Sequence, residues 1–79
     1  MIRLIRTTGT VQEVVDNRTY KICLEDGTEV VATISSKGKL YLKYEIYEGE
    51  EGVPIELSPN DLTRGRINPR GWKRQPSKW

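Results

Sequence analysis

Apolar and polar residues alternate with a period of two over short stretches of this chain, which is the pattern of half-buried β-strands. The clearest stretch covers residues 19–25, where Tyr20, Ile22 and Leu24 fall on one face. The dipeptide Asp26-Gly27 follows it and favours a tight hairpin, because the central residues of such a turn need positive φ. The sequence therefore predicts a hairpin that leads directly into another strand.

Other segments carry strand patterns of the same kind. Residues 2–15 are rich in β-branched side chains, and Gly9 among them indicates a bulge or a sharp bend. Pro54 has no amide hydrogen to donate, so its strand should lie at an edge or begin close to this residue. In chain order, the predicted strands are 2–15, 19–25, 28–35, 53–58 and 64–68.

One long connector, residues 36–47, separates the third and fourth predicted strands and has room for a short helical turn. Five short strands with the long connector at this place are typical of an all-β, five-stranded Greek-key barrel of the OB-fold type. Periodicity alone leaves an SH3-like barrel as the alternative.

Charge is distributed unevenly, although the formal net charge is only +2. Residues 48–62 hold five acidic and no basic side chains, whereas residues 63–79 hold six basic and no acidic ones. Residues 69–79 show no periodicity and include two prolines. We therefore predict one barrel domain over residues 1–68 and a basic, flexible tail over residues 69–79 that orders on binding.

Composition excludes several kinds of catalytic chemistry. The chain has no histidine and one cysteine, Cys23, so a histidine-dependent triad or a zinc cage cannot form within it. Asp and Glu number 11 and are expected to be solvated acids rather than a catalytic pair. We expect no enzyme activity, no metal and no cofactor. The single cysteine and the lack of a long apolar stretch predict a cytoplasmic protein that does not enter a membrane.

Four sequence motifs resemble those of a known family. Residues 57–67 read LSPNDLTRGRI, residues 9–13 read GTVQE, residues 24–27 read LEDG, and residues 32–37 read ATISSK. In their order and spacing along the chain, these motifs are similar to those of the bacterial and plastid translation initiation factor one family. The chain departs from the family's pattern at Thr33, Ser36 and Asn60 and in a slightly longer connector, so it resembles a divergent member.

The resemblance implies an OB-fold protein that catalyses no reaction and carries no cofactor. It implies binding to the small ribosomal subunit in the aminoacyl-tRNA site, through ribosomal RNA and an adjacent ribosomal protein, together with the other two initiation factors. A monomer is expected. Two other functions stay open, namely a general single-stranded nucleic-acid-binding module of the cold-shock kind and a barrel that binds only proteins. The lack of phenylalanine argues against the cold-shock kind, whose surfaces carry clustered Phe side chains.

An RNA-binding surface needs cations for phosphates and flat side chains for exposed bases. Arg64 and Arg66 match the family's motif and lie two residues apart, so they should project from the same face of a strand. Gly65 between them would leave room for a phosphate or a base. We predict that the connector and the basic C-terminal segment converge on one face. The candidate RNA-binding residues are Lys37, Lys39, Tyr41, Lys43, Tyr44, Arg64, Arg66, Arg70, Lys73 and Arg74.

The other aromatic side chains are assigned by their surroundings in the sequence. Tyr20 lies on the apolar face of a predicted strand and is expected in the core. Trp72 and Trp79 lie in the basic tail, where they would either stack on RNA or dock on the barrel.

Overall fold

The computed structural model describes residues 4–70 and 72–74 of the chain. These residues form five β-strands and one short helix. In chain order, the elements are β1 (Ile5–Asp16), β2 (Thr19–Leu24), β3 (Glu29–Thr33), α1 (Ser36–Lys39), β4 (Val53–Ser58) and β5 (Asp61–Ile67).

The five strands close into a barrel in the order β1-β2-β3-β5-β4, with β4 returning to pair with β1. The first half of β1 pairs with β4 and the second half pairs with β2, so this long strand belongs to both sides of the barrel. Strand β3 pairs with β5 in parallel, whereas all the other pairs are antiparallel. This topology confirms the predicted all-β, five-stranded Greek-key barrel of the OB-fold type.

Gly9 marks the place where β1 changes its partner. It pairs with Leu24 on one side and with Val53 on the other. A Cβ atom at this position would lie 2.5 Å from Cγ2 of Ile22 and 2.7 Å from the carbonyl oxygen of Cys23. Glycine is therefore required by the close approach of β2, whereas the bulges in the β1–β2 pairing come later, after Val11 and Val14.

Side chains that alternate along the strands fill the interior. Tyr20 is 1 % exposed and lies among them, as predicted, and burial raises the pKa of its hydroxyl group. That hydroxyl donates a hydrogen bond to the carbonyl oxygen of Asn17 over 3.2 Å, so the buried polar atom has a partner. The buried apolar residues are Val11, Tyr20, Ile22, Leu24, Val30, Ala32, Ile34, Ile46, Val53, Ile55, Leu57 and Ile67.

The barrel has two different ends. The end that we call the turn end consists of the start of β1, the β2–β3 turn at residues 25–28 and the β4–β5 turn. The other end, which we call the helix end, consists of the β1–β2 turn, α1, the connector over residues 40–52 and residues 68–74. This arrangement separates the short hairpin turns from the long connector.

Several boundaries differ from those predicted. Strand β3 ends at Thr33 rather than at residue 35, because the Ser35 hydroxyl oxygen accepts a hydrogen bond from the Gly38 amide and starts α1. Strand β5 begins at Asp61 rather than at residue 64. The β2–β3 hairpin is confirmed, although only Gly27 in its turn has a positive φ, at +90°. Residues 1–3, part of the first predicted strand, lie outside the described residues.

Candidate nucleic-acid interface

Arg66 occupies a central place at the helix end. It lies near the end of β5, where it pairs with Thr33 of β3 and with Glu56 of β4. Its exposed side chain stands between two grooves and lines both of them. The groove on the side of the β1–β2 turn, which we call the first groove, has a volume of about 580 Å3. The second groove, on the side of α1, has a volume of about 300 Å3.

The second groove brings together residues from three parts of the chain. Lys37 comes from α1, Tyr41 from the connector and Arg70 from the segment after β5. Tyr41 is 58 % exposed, and the Arg70 guanidinium lies 5.8 Å from the centre of its ring. With Arg66, this groove offers three cations and one accessible aromatic ring. These are the groups that phosphates and unstacked bases require.

The first groove contains a cation that the sequence did not single out. Arg18 lies in the β1–β2 turn, and its guanidinium Nη1 donates a hydrogen bond of 2.9 Å to the Ser36 hydroxyl oxygen. Barrel closure brings this turn next to the end of β3 and therefore next to Arg66. Only the position of Arg18 beside the turn signal at residues 16–17 could have drawn attention to it.

The acidic side chains that line these grooves already hold intramolecular hydrogen bonds. In the first groove, the Asp16 carboxylate accepts a hydrogen bond from the Arg18 amide over 2.9 Å, which lowers the pKa of that carboxyl group. In the second groove, Glu56 accepts from Asn68 Nδ2 at 3.1 Å and lies 3.6 Å from Nε of Arg6. Among residues 4–70 and 72–74, none of the cations along the grooves forms an ion pair with a carboxylate.

The structure places Arg64 and Gly65 differently from what the sequence predicted. Arg64 is exposed and pairs with Val31, but it lines neither groove. A Cβ atom at Gly65 would lie 2.6 Å from Cγ2 of Ile55 and 2.8 Å from Cδ2 of Leu57. The space on the Cβ side of Gly65 is thus filled by the protein's own core, and a phosphate or a base cannot enter on that side.

Lys39 supports the helix end from inside. Its Nζ donates hydrogen bonds to the Asn17 carbonyl oxygen at 2.6 Å and to the Glu45 carboxylate at 2.7 Å. Only 19 % of the Lys39 side chain is exposed. The residue therefore joins the β1–β2 turn to the connector and does not line either groove, whereas Lys43 and Lys73 are exposed but lie outside both grooves.

Arg74 is the most deeply engaged cation of the described residues. Its Nε and Nη2 atoms donate to the two carboxylate oxygens of Glu50, at 2.7 and 2.8 Å. The remaining donors reach the carbonyl oxygens of Tyr44, at 2.6 Å, and Glu45, at 3.0 Å. The side chains of Arg74 and Glu50 are only 7 % and 4 % exposed. Arg74 therefore fastens the C-terminal segment to the connector, and the structure does not bring it to either groove.

Two aromatic rings enclose this ion pair. The Arg74 guanidinium lies 3.8 Å from the centre of the Tyr44 ring and 4.7 Å from that of Trp72. Trp72 also packs against the core, so it docks on the barrel. Residues 72–74 thus differ from the flexible tail that the sequence predicted, while Trp79 lies outside the described residues. Tyr44 acts as a support for Arg74, and its face on that side is not available to a base.

Over residues 4–70 and 72–74, no group of three or more Asp, Glu or Cys side chains is placed to hold a metal ion. Within the same residues, no helix is long and apolar enough to cross a membrane.

The fold and the two grooves define a small OB-fold barrel whose helix end presents cations and an exposed tyrosine. No family model matches the sequence. The fold is similar to the solution structure of translation initiation factor one from the Wolbachia endosymbiont strain TRS of Brugia malayi, with a TM-score of 0.63 and 22 % sequence identity. The similarity covers 95 % of this chain and 82 % of that protein. At this identity, the comparison establishes the fold.

Proposed function

We propose that this protein is a translation initiation factor that binds the small ribosomal subunit in the aminoacyl-tRNA site through ribosomal RNA. The observation that carries the proposal is the position of Arg66 between two grooves, with Arg18 on one side and Lys37 and Arg70 on the other. The fold shared with an initiation factor and the sequence motifs that surround Arg66 support the same function.

The arrangement suits RNA rather than a small anion. Four cations follow the two grooves and could contact successive phosphates, which supply most of the affinity for RNA and make it dependent on salt. Tyr41 lies along the same path with its ring accessible. A base that stacks on such a ring contributes about 1–3 kcal/mol to binding. The proposed interface therefore combines Arg18, Lys37, Tyr41, Arg66 and Arg70.

The other candidate residues take lesser places in this proposal. Arg64, Lys43 and Lys73 are exposed and line neither groove, so they would strengthen the attraction to a polyanion without a fixed contact. Lys39, Tyr44 and Arg74 make intramolecular contacts that shape the connector, so we leave them out of the interface.

Co-sedimentation with purified small ribosomal subunits across a series of salt concentrations tests the proposal. We expect saturable binding of one copy per subunit, lost as salt rises. Arg66→Ala and Arg18→Ala should weaken binding and lower the salt dependence by about one released counterion each. Lys21→Ala is the matched control, because Lys21 is an exposed cation of β2 that lines neither groove.

The same series with free single-stranded RNA separates the competing functions. Equal affinity for free RNA and for subunits would replace the proposal with a general single-stranded nucleic-acid-binding module. An affinity for subunits that stays the same in Arg18→Ala, in Arg66→Ala and at high salt would indicate contacts with ribosomal protein alone. Lack of binding to either partner would contradict RNA binding altogether.

A further inference from the structure

The turn end of the barrel also carries a groove, and its lining differs from that of the two grooves at the helix end. A groove of about 390 Å3 enters the barrel there, a volume within the range of ligand clefts. Leu24 and Leu57, which belong to the buried core, line it together with Ile5 and Leu62. Ile5 and Leu62 remain 43 % and 49 % exposed. Apolar side chains therefore face solvent around an opening that leads to the core.

Two acidic side chains line this opening on the side of the β2–β3 turn. Glu25 and Asp26 line the groove, and Asp61 precedes Leu62 in β5. The Glu25 carboxylate accepts a hydrogen bond from the Thr8 hydroxyl over 2.9 Å, and the Asp26 carboxylate accepts one from the Thr28 amide, also over 2.9 Å. These bonds hold the carboxylates in place at the opening. None of the described residues that line the groove is basic.

We propose that the turn end is a docking site for a segment of a partner protein in which an apolar side chain is flanked by Lys or Arg. The apolar side chain would enter the groove between Ile5 and Leu62, and the flanking cations would pair with Glu25 and Asp26. Charge complementarity selects this occupant, because the acidic opening repels the phosphates of RNA and favours a cationic chain.

The site lies at the opposite end of the barrel from the proposed RNA interface. A partner segment at the turn end and RNA at the helix end could therefore be bound at the same time. The inference rests on the groove and its acidic rim, so it does not depend on the proposed function.

The probe for this site is the peptide acetyl-Lys-Arg-Leu-Lys-Arg-amide, titrated into the full chain labelled with 15N. We expect saturable shifts of the amide signals of residues 24–28, 57 and 62, without shifts at Arg66 or Arg70. A peptide with glycine in place of leucine, and one with glutamate in place of every cation, should each bind more weakly by about fivefold or more.

Two variants test the groove itself. Leu62→Ser removes an exposed apolar contact and should weaken peptide binding by about fivefold or more. Leu40→Ser is the matched control at the helix end, where Leu40 is 85 % exposed, and it should leave the affinity unchanged. Glu25→Gln keeps an acceptor for Thr8 while removing the charge, so it should weaken binding and reduce its salt dependence.

Four results would overturn the inference. Equal binding of the leucine and glycine peptides would reduce the effect to unspecific charge attraction. Shifts confined to the helix end would place the contact elsewhere. Shifts at the turn end that grow with protein concentration before peptide is added would show that a second copy of this chain is the occupant. Absence of any saturable shift would exclude the site, and none of these results would alter the outcome of the RNA experiments.

Discussion

The two ends of this barrel are completed by different physical means. At the turn end, two short hairpins suffice, and the apolar interior stays accessible through a groove. At the helix end, a connector without regular strands crosses the barrel, and it is fixed by the buried pair of Arg74 and Glu50. A short turn is specified by its own backbone, whereas a long connector needs contacts from elsewhere in the chain.

The ion pair at the helix end fixes the connector at a cost in desolvation free energy. Removing two charges from water has a large cost, which is offset only when the geometry is good and the remaining donors are satisfied. Here each of the three nitrogen atoms of the Arg74 guanidinium donates to at least one acceptor, on the Glu50 carboxylate or on backbone carbonyl oxygens of the connector. Such a pair fixes the arrangement of the connector over residues 44–50.

The largest expected effect is a loss of stability when the ion pair at the helix end is broken. Arg74→Ala leaves Glu50 buried without its partner, which should lower the free energy of unfolding by about 3 kcal/mol. For a domain of this size, the midpoint of thermal unfolding should fall by more than about 10 °C. Circular dichroism during heating measures it. Lys73→Ala, at an exposed neighbouring cation, is the control and should shift the midpoint very little.

An equally small shift for both variants would show that the ion pair does not hold the helix end. Amide hydrogen exchange in Arg74→Ala can distinguish the local stability of the two ends. Exchange should accelerate first at residues 44–50, while amides of the β2–β3 hairpin stay protected.

The next effect concerns strand β1, which pairs with β2 and β4 and belongs to both sides of the barrel. Gly9→Ala places a Cβ atom against Cys23 and Ile22, where the nearest backbone atom would be 2.7 Å away. The strands must move apart, so we expect a loss of about 1–3 kcal/mol in the free energy of unfolding. Chemical denaturation measures this loss. Gly27→Asn, at a positive-φ turn position with no atom within 4 Å of a new Cβ, is the control and should cost less.

A smaller effect sharpens the description of the helix end. The Tyr44 hydroxyl is buried and has no hydrogen-bond partner among the described residues. Tyr44→Phe removes this unpaired group and keeps the ring against Arg74. We expect the free energy of unfolding to stay the same or to rise by up to about 1 kcal/mol. A clear loss of stability in urea denaturation would mean that the hydroxyl group has a partner in solution.

The smallest effect is a dependence on pH to which two aspartates of the turn end contribute. Hydrogen bonds from the Thr28 amide lower the pKa of Asp26, and bonds from the Thr63 hydroxyl and amide lower that of Asp61. Both pKa values are lower in the folded state, so this stabilisation is complete above the ordinary value of 3.8 and is lost as pH falls below about 4.

Thermal unfolding measured at a series of acidic pH values tests this dependence. Replacing both aspartates by asparagine should make the decline in the unfolding midpoint below pH 4 shallower than in the unmodified protein. An unchanged decline would assign the acid sensitivity to other carboxylates.

The sequence predicted the strands wherever alternation and turn residues agreed. Strand β2 and the hairpin after it follow from the positions of Tyr20, Ile22 and Leu24 and from Gly27. The start of β5 was missed because residues 61–63 hold a single apolar side chain, Leu62, between two polar ones, a pattern too short to predict a strand. Those residues become a strand because Ser58 pairs with Asp61 in the tight β4–β5 turn, which is a tertiary effect.

The candidate site was predicted only in part. Lys37, Tyr41, Arg66 and Arg70 were selected from charge, aromatic character and motif, and the structure brings them to one groove. Charge alone could not separate them from Arg74, because a solvated cation and a buried one look alike in a sequence. Their difference depends on whether an acceptor such as Glu50, 24 residues away, lies within reach.

By itself, the sequence determined the all-β barrel, its single long connector and the basic character of its C-terminal part. These properties are local, since they depend on residue alternation, turn residues and composition. Only the tertiary structure decided which cations face solvent, why Gly9 and Gly65 are needed, and how the grooves at the two ends of the barrel differ in their lining. Each of these depends on distances between residues far apart in the chain, which are fixed when β3 pairs with β5 and the barrel closes.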